Sequence, residues 1–301
     1  MSASISLRDV SVHFSLYHGG SRSLKRALLS RGTAGRIASD ATNRIYVEAL
    51  KDLSLDIHHG DRVGLIGTNG AGKTTLLRVL AGIYEPTIGQ VEINGRVTPM
   101  FDIGLGMDMD QSGYENIILR GLLIGLSREE IKKHVADIAE FTELGDYLHM
   151  PLRTYSAGMT LRLTFGISTC IAPDILLMDE WVVAGDSKFL HKAQLRLADF
   201  IHRSSIMFLA SHSNDLIRMW CTKALWLENG CLRAFGPVDS VMDEYQAICD
   251  DAAKEADAAA GLPEGPLWPR RSAGSDTADR PRIRGARAER HPACGCGRAF
   301  P

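Results

Sequence analysis

With 301 residues, 45% of them hydrophobic and 23% charged, the chain has material for one large domain or two small ones and the composition of an ordinary globular protein. A net charge of −2 offers no broad positive field for nucleic acid or an anionic membrane. No apolar run approaches the roughly 20 residues that a bilayer-spanning helix needs, so work at a membrane would require a docked partner.

Residues 5–14 alternate apolar and polar, the pattern of a half-buried strand, and no charged stretch followed by an apolar one suggests a secretory signal. A polar insertion over about 18–45 follows and contains SLKRALLS, long enough for a short helix. A second alternating run at 53–57 leads into a short buried strand at 62–66, then glycines, then helical spacing of apolar residues over 74–83. Residues 114–149 read as mainly helical, and Ser127 with Glu130 makes a capping box at one helix start. A helix over 157–171 is broken by Pro173, and buried strands are expected at 175–178 and 205–210. A hairpin over 224–227 and 231–235 turns at Asn229-Gly230. Strands alternating with helices predict an α/β domain with a largely parallel sheet.

Near residue 250 the composition becomes Ala- and Arg-rich without periodicity, which places a folded domain at 1–248 and a disordered tail at 249–301. Cys170, Cys221, Cys231 and Cys249 are scattered. Cys294 and Cys296 lie near His291, but a zinc site needs a second pair of ligands that the sequence does not supply, so all six read as reduced thiols.

Gly67-Thr68-Asn69-Gly70-Ala71-Gly72-Lys73-Thr74 fits the phosphate-loop pattern in full, and it stands between a buried strand and a helix as the mechanism requires. Its glycines let backbone N–H groups converge on phosphate oxygens, and the helix start adds its positive end. Lys73 brings a point charge to the β- and γ-phosphates of ATP, the Thr74 hydroxyl is a ligand for Mg2+, and Thr75 continues the cradle. Asp179, at the end of a buried strand, is the second metal candidate. Glu180 after it is placed to polarise an attacking water. His212 follows a neighbouring strand at the edge where α/β sheets bind ligands, and there it can contact the γ-phosphate.

One more motif separates this chain from other phosphate-loop proteins. Tyr155-Ser156-Ala157-Gly158-Met159, at the head of a helix upstream of Asp179, resembles the signature of ABC-transporter ATPases, usually Leu-Ser-Gly-Gly-Gln, with the serine and second glycine kept. Ala184-Gly185-Asp186 is similar to the family's D-loop. The resemblance covers roughly residues 5–245. It implies a phosphate-loop ATPase domain with a mostly parallel sheet core, an N-terminal antiparallel β part and a helical subdomain over about 103–172. It also implies a homodimer in which Ser156, Ala157 and Gly158 of one copy close on the γ-phosphate held by the other, with Asp186 crossing between them.

Where the family's Q-loop carries Gln, this chain has Met100-Phe101-Asp102, and Asp102 is a candidate for that work. Phe14, Tyr17 and Tyr46 are candidates for stacking on adenine. The missing Gln, Ser112-Gly113-Tyr114-Glu115-Asn116-Ile117, Trp181 through Asp186, and the insertion before Ala49 together resemble the branch that exports bacterial capsule, O-antigen or teichoic-acid-type polymers. Membership would imply hydrolysis of ATP, an integral-membrane permease partner, a lipid-linked polysaccharide substrate and a peripheral place on the cytoplasmic face of the bacterial inner membrane, with no nucleic-acid partner. The alternatives are the ATPase subunit of another ABC importer or exporter, or a soluble ABC ATPase.

Overall fold

The computed structural model describes residues 2–15, 37–39, 45–101, 104, 106–180 and 187–260. The chain divides into two units, Met1–Ala253 and Lys254–Pro301, and the site lies in the first.

Two sheets organise that unit. One is antiparallel, built from β1 (Ser4–Ser15), β2 (Ile37–Ser39), β3 (Ile45–His58) and β5 (Ile88–Asn94) in the order β2-β3-β1-β5. The other contains β4 (Arg62–Ile66), β6 (Val97–Pro99), β7 (Ile175–Asp179), β8 (Ile206–Ala210), β9 (Lys223–Glu228) and β10 (Cys231–Pro237), in the order β10-β9-β4-β8-β7-β6. All its pairings are parallel except the β9–β10 hairpin. Residues 63–66 and 175–178 of β4 and β7 are short continuous apolar runs, as strands buried on both faces require.

Side chains alternate between two cores accordingly. Ile175, Leu177, Ile206 and Phe208 join the core shared with the antiparallel sheet and α1 (Lys73–Leu80). Leu176, Met178, Met207 and Leu209 point the other way, against Leu197, Phe200 and Ile201 of α5 (Ser187–Arg203). A third core is wholly helical and lies within the span expected for a helical subdomain. It joins Ile117 of α2 (Gly113–Leu123), Ile131 and Ile138 of α3 (Arg128–Thr142), and Leu163 and Ile167 of α4 (Ala157–Ser168). The Ser127–Glu130 capping box forms, and a second one, Ser112 with Glu115, opens α2.

Helix α6 (Val238–Ala260) runs through residue 249, where the change of composition placed the start of the tail. Its first turns are held by Val238, Val241 and Met242, buried in the second core, and Ala-rich sequence propagates a helix once it is nucleated. Most of the 18–45 insertion lies outside the described residues, as do residues 261–301 with His291, Cys294 and Cys296; the part that is described, Ile37–Ser39, is a strand paired to β3.

The helical unit is tied to the loop before it by Asn116, fully buried. Its amide donates to the carbonyls of Asp108 (2.9 Å), Gln111 (3.2 Å) and Ser112 (2.9 Å), and its oxygen accepts from the Asp108 N–H (2.8 Å). Asn116→Ala strands several of these buried groups and should cost about 2–3 kcal/mol, read as a lowered urea midpoint.

Candidate functional site

Parallel strands in register deliver their C-terminal ends to one edge, and the candidate residues sit there. Leu65 of β4 and Asp179 of β7 both pair with Ala210 of the central strand β8. The phosphate loop, the Asp179-Glu180 pair and Ser211-His212 therefore emerge side by side.

The loop turns through Gly67 (φ 138°), Gly70 (φ 77°) and Gly72 (φ 111°), a region closed to ordinary side chains. Space forbids a side chain as well: a Cβ on Gly67 would stand 2.2 Å from the Leu227 carbonyl oxygen. Gly72 caps α1 with no side chain, and no acid lies in the first helical turn, so the N–H groups of that turn and its positive dipole end face the cleft uncompensated. The Lys73 ammonium donates to the carbonyls of Gly67 (2.6 Å) and Thr68 (3.1 Å). Burial pulls its pKa below the ordinary lysine value, against the opposing pull of Asp179 and Glu180. The Thr74 hydroxyl donates to Asp179 at 2.8 Å, which brings the two metal-ligand candidates to one point.

Glu180 holds a left-handed backbone (φ 65°), a conformation that costs a non-glycine residue roughly 1–2 kcal/mol. Its N–H is anchored on the Ala210 carbonyl at 2.8 Å, which holds the residue there. The carboxylate is exposed and lies 3.9 Å from His212 Nε2.

These groups line a cleft of about 500 Å3, together with Asn69, Gly70, Ala71 and Thr75. Phe14, Val47 and Ala49 wall it as well. Of the aromatic candidates, Phe14 faces the cleft and contacts Tyr84 edge-on at 5.2 Å. Tyr46 instead stacks on His13 at 4.6 Å, and Tyr17 lies outside the described residues. Val47 escaped the sequence reading; the signal was its register, directly opposite Phe14 across β1 and β3.

Ser156, Ala157 and Gly158 are not brought to this cleft. They are exposed at the start of α4, where the Ser156 hydroxyl caps the helix by accepting from the Met159 N–H at 3.3 Å. A Cβ on Gly158 would meet only that hydroxyl, at 4.0 Å, so the motif presents an open surface. Tyr155, the first departure in the motif, donates its hydroxyl to the Tyr147 carbonyl at 2.6 Å and closes over Gly113. Asp186 and Asp102 lie outside the described residues.

A second concavity, of about 700 Å3, opens between the end strand β6 and α2. It is mostly apolar, with Val97, Pro99, Phe101 and Ile124 inside and Ile83 and Leu123 exposed at 53% and 60%.

The profile of the family described as ABC transporter matches residues 50–183. The O-antigen export system ATP-binding protein RfbE of Yersinia enterocolitica is 43% identical over 229 residues, spanning 76% of this chain and 96% of its own length. RfbB of Myxococcus xanthus, of the same description, is 39% identical over 217 residues, which is 72% of this chain and 49% of that protein. The teichoic acids export ATP-binding protein TagH of Staphylococcus haemolyticus is 34% identical over 258 residues, 86% and 94% of the two chains. Among solved structures, a dimeric ATP-binding cassette in a post-hydrolysis state with ADP and phosphate aligns with TM-score 0.55 at 19% identity, over 78% of this chain and 98% of its own. An ATP-binding subunit of an ABC transporter aligns with TM-score 0.58 at 20% identity, over 80% and 93%, and both share the fold.

Lys73→Met tests the electrostatics of the cleft. Because the native pKa of Lys73 lies below its unfolded value of 10.5, the unfolded chain binds the proton more tightly, and wild-type stability rises as pH climbs from the native pKa toward 10.5. The uncharged variant should lose that slope in melting-temperature profiles and show no nucleotide-induced rise in melting temperature.

Proposed function

The chain belongs to the ABC transporter ATP-binding family, and from that premise we propose that it is the ATP-hydrolysing subunit of a transporter exporting a lipid-linked polysaccharide across the bacterial cytoplasmic membrane. The cargo reading is supported by the relatives named for O-antigen and teichoic acid export, two of which align over 94% or more of their own length. One observation carries the chemistry: a hydroxyl–carboxylate pair (Thr74, Asp179) and a carboxylate–imidazole pair (Glu180, His212) share one cleft with a phosphate loop.

In this reading the triphosphate lies along Gly67 to Thr75, with adenine against Phe14 and Val47. Hard oxygen donors at one point suit Mg2+, which Thr74 and Asp179 would hold and which neutralises charge on the β- and γ-phosphates when bound. Lys73 moves its N–H donors from the loop carbonyls to the phosphates. Glu180 orients a water and takes its proton as the oxygen attacks the γ-phosphorus. The bond to the β–γ bridging oxygen breaks, and ADP and phosphate leave. His212 donates to the γ-phosphate and steadies the Glu180 carboxylate.

Ser156, Ala157 and Gly158, open to the outside, complete the facing cleft of a second copy, with Asp186 at the junction. The homodimer then encloses two nucleotides. Attachment to the cytoplasmic face runs through a permease; among the described residues no helix is long and apolar enough to cross a membrane. The groove beside β6, with its exposed Leu123 and Ile83, fits a cytoplasmic segment of that permease.

Glu180→Gln should lower ATP turnover by about 10²–10⁴-fold while ATP still binds and holds the dimer closed, measured by phosphate release and light scattering. Undiminished hydrolysis would remove Glu180 as the base. In cells, the same variant should lose a surface polysaccharide and accumulate its lipid-linked precursor, and an unchanged glycan profile would sink the cargo assignment. Leu123→Glu should weaken recovery of the subunit with membranes about tenfold or more while the isolated protein hydrolyses ATP normally.

A further inference from the structure

The hairpin turn at Asn229-Gly230 reaches out of the core sheet to the back of the phosphate loop. Both residues are left-handed, Asn229 at φ 50° and Gly230 at φ 82°. The Gly230 N–H donates to the carbonyl of Ala71 in the phosphate loop at 3.0 Å, and its carbonyl accepts from the N–H of Lys51 in β3 at 3.0 Å. One residue thus bridges two segments that line the cleft: the loop that cradles phosphate, and the strand that carries Val47 and Ala49. The contact leaves no slack. A Cβ on Gly230 would stand 2.8 Å from the Ala49 carbonyl oxygen and 3.2 Å from its carbon. A Cβ on Gly72 would stand 2.9 Å from the same oxygen. The two sheets share no strand pairing, so this tie is a direct hydrogen-bonded link between them beside the site.

We infer that the Asn229-Gly230 turn is a positioning element, which sets the span between the base wall and the phosphate loop and so tunes the cleft to a nucleotide rather than to a bare polyphosphate. A nucleotide must satisfy both at once, and a displaced wall weakens it in proportion to the stacking lost. Inorganic pyrophosphate uses only the loop. The turn touches no ligand and acts through Ala71, Ala49 and Lys51. The inference rests on the nucleotide reading of the cleft.

The test compares ADP with inorganic pyrophosphate, both titrated calorimetrically in magnesium buffer against the full chain. In Gly230→Ala the added methyl drives β3 from the turn, and ADP should bind about tenfold more weakly, about 1.4 kcal/mol, while pyrophosphate changes by less than about twofold. Equal losses for the two ligands, or no loss for ADP, would overturn the inference. Should Gly230→Ala fail to fold, Asn229→Ala strains the same turn without placing a methyl against Ala49. It should weaken ADP by about threefold and spare pyrophosphate, by the cost of a left-handed residue without asparagine's local hydrogen bonding. A wild-type chain that bound pyrophosphate but not ADP would contradict the nucleotide reading itself, whereas binding of both with unselective variants would contradict only the role of the turn.

Discussion

In the core sheet, β8 lies between β4 and β7, and Ala210 is in register with Leu65 on one side and Asp179 on the other. That pairing decides where every reactive group can be. A parallel sheet sends all its strand ends the same way, so a loop, a carboxylate pair and an imidazole far apart in sequence arrive at one edge without any long-range contact designed for each. Slipping β7 by one residue would turn its apolar faces inside out and exchange the two cores. The register is therefore held by the fit of each face's side chains to its own core, and the geometry of the site inherits that rigidity.

Local groups at this edge are held against their own preferences. Glu180 occupies a left-handed backbone that only its anchoring to Ala210 explains, and Lys73 keeps its ammonium among carbonyls where burial disfavours the charge. Both arrangements cost stability, and both make sense if a polyanion completes them. A phosphate chain offers Lys73 better partners than the Gly67 and Thr68 carbonyls, and it meets an uncapped helix start. The surrounding cores supply what such a site spends in stability.

Much of this was legible in the sequence because it rests on local rules. The phosphate loop is a spacing of glycines around a lysine and a threonine. Residues 63–66 and 175–178 are uninterrupted apolar runs, and Ser127 with Glu130 marks a helix start. What stayed hidden depends on partners remote in sequence. β5 is an edge strand with exposed Ile88 and a glycine at φ 87°, so it exists chiefly through its pairing with β1. The choice of Phe14 over Tyr46 as the wall of the cleft is a matter of which face of the antiparallel pair each occupies. Helix α5 is readable in principle from Phe189, Ala193, Leu197 and Phe200, spaced three or four residues apart and buried together in the second core.

On the proposed reading, the signature segment divides the labour of one fold between two molecules. Ser156 lies on a helix start whose first turn carries no acid, exposed and turned to no group of its own cleft. On structural grounds alone a capped helix end in water needs no glycine at Gly158, since a side chain there would meet open space. Its bareness makes sense if another surface approaches closely. The cleft, for its part, is lined by the loop, by Phe14, and by Glu180 and His212, whose side chains are exposed. On the proposed reading these two incomplete surfaces complete each other. The Tyr155 hydroxyl, fixed on the Tyr147 carbonyl and packed over Gly113, joins the signature to the start of α2, the helix that also lines the apolar groove. A force applied in that groove by a membrane partner would reach Ser156 through one packed aromatic ring, which gives the tyrosine in place of the usual leucine a mechanical consequence.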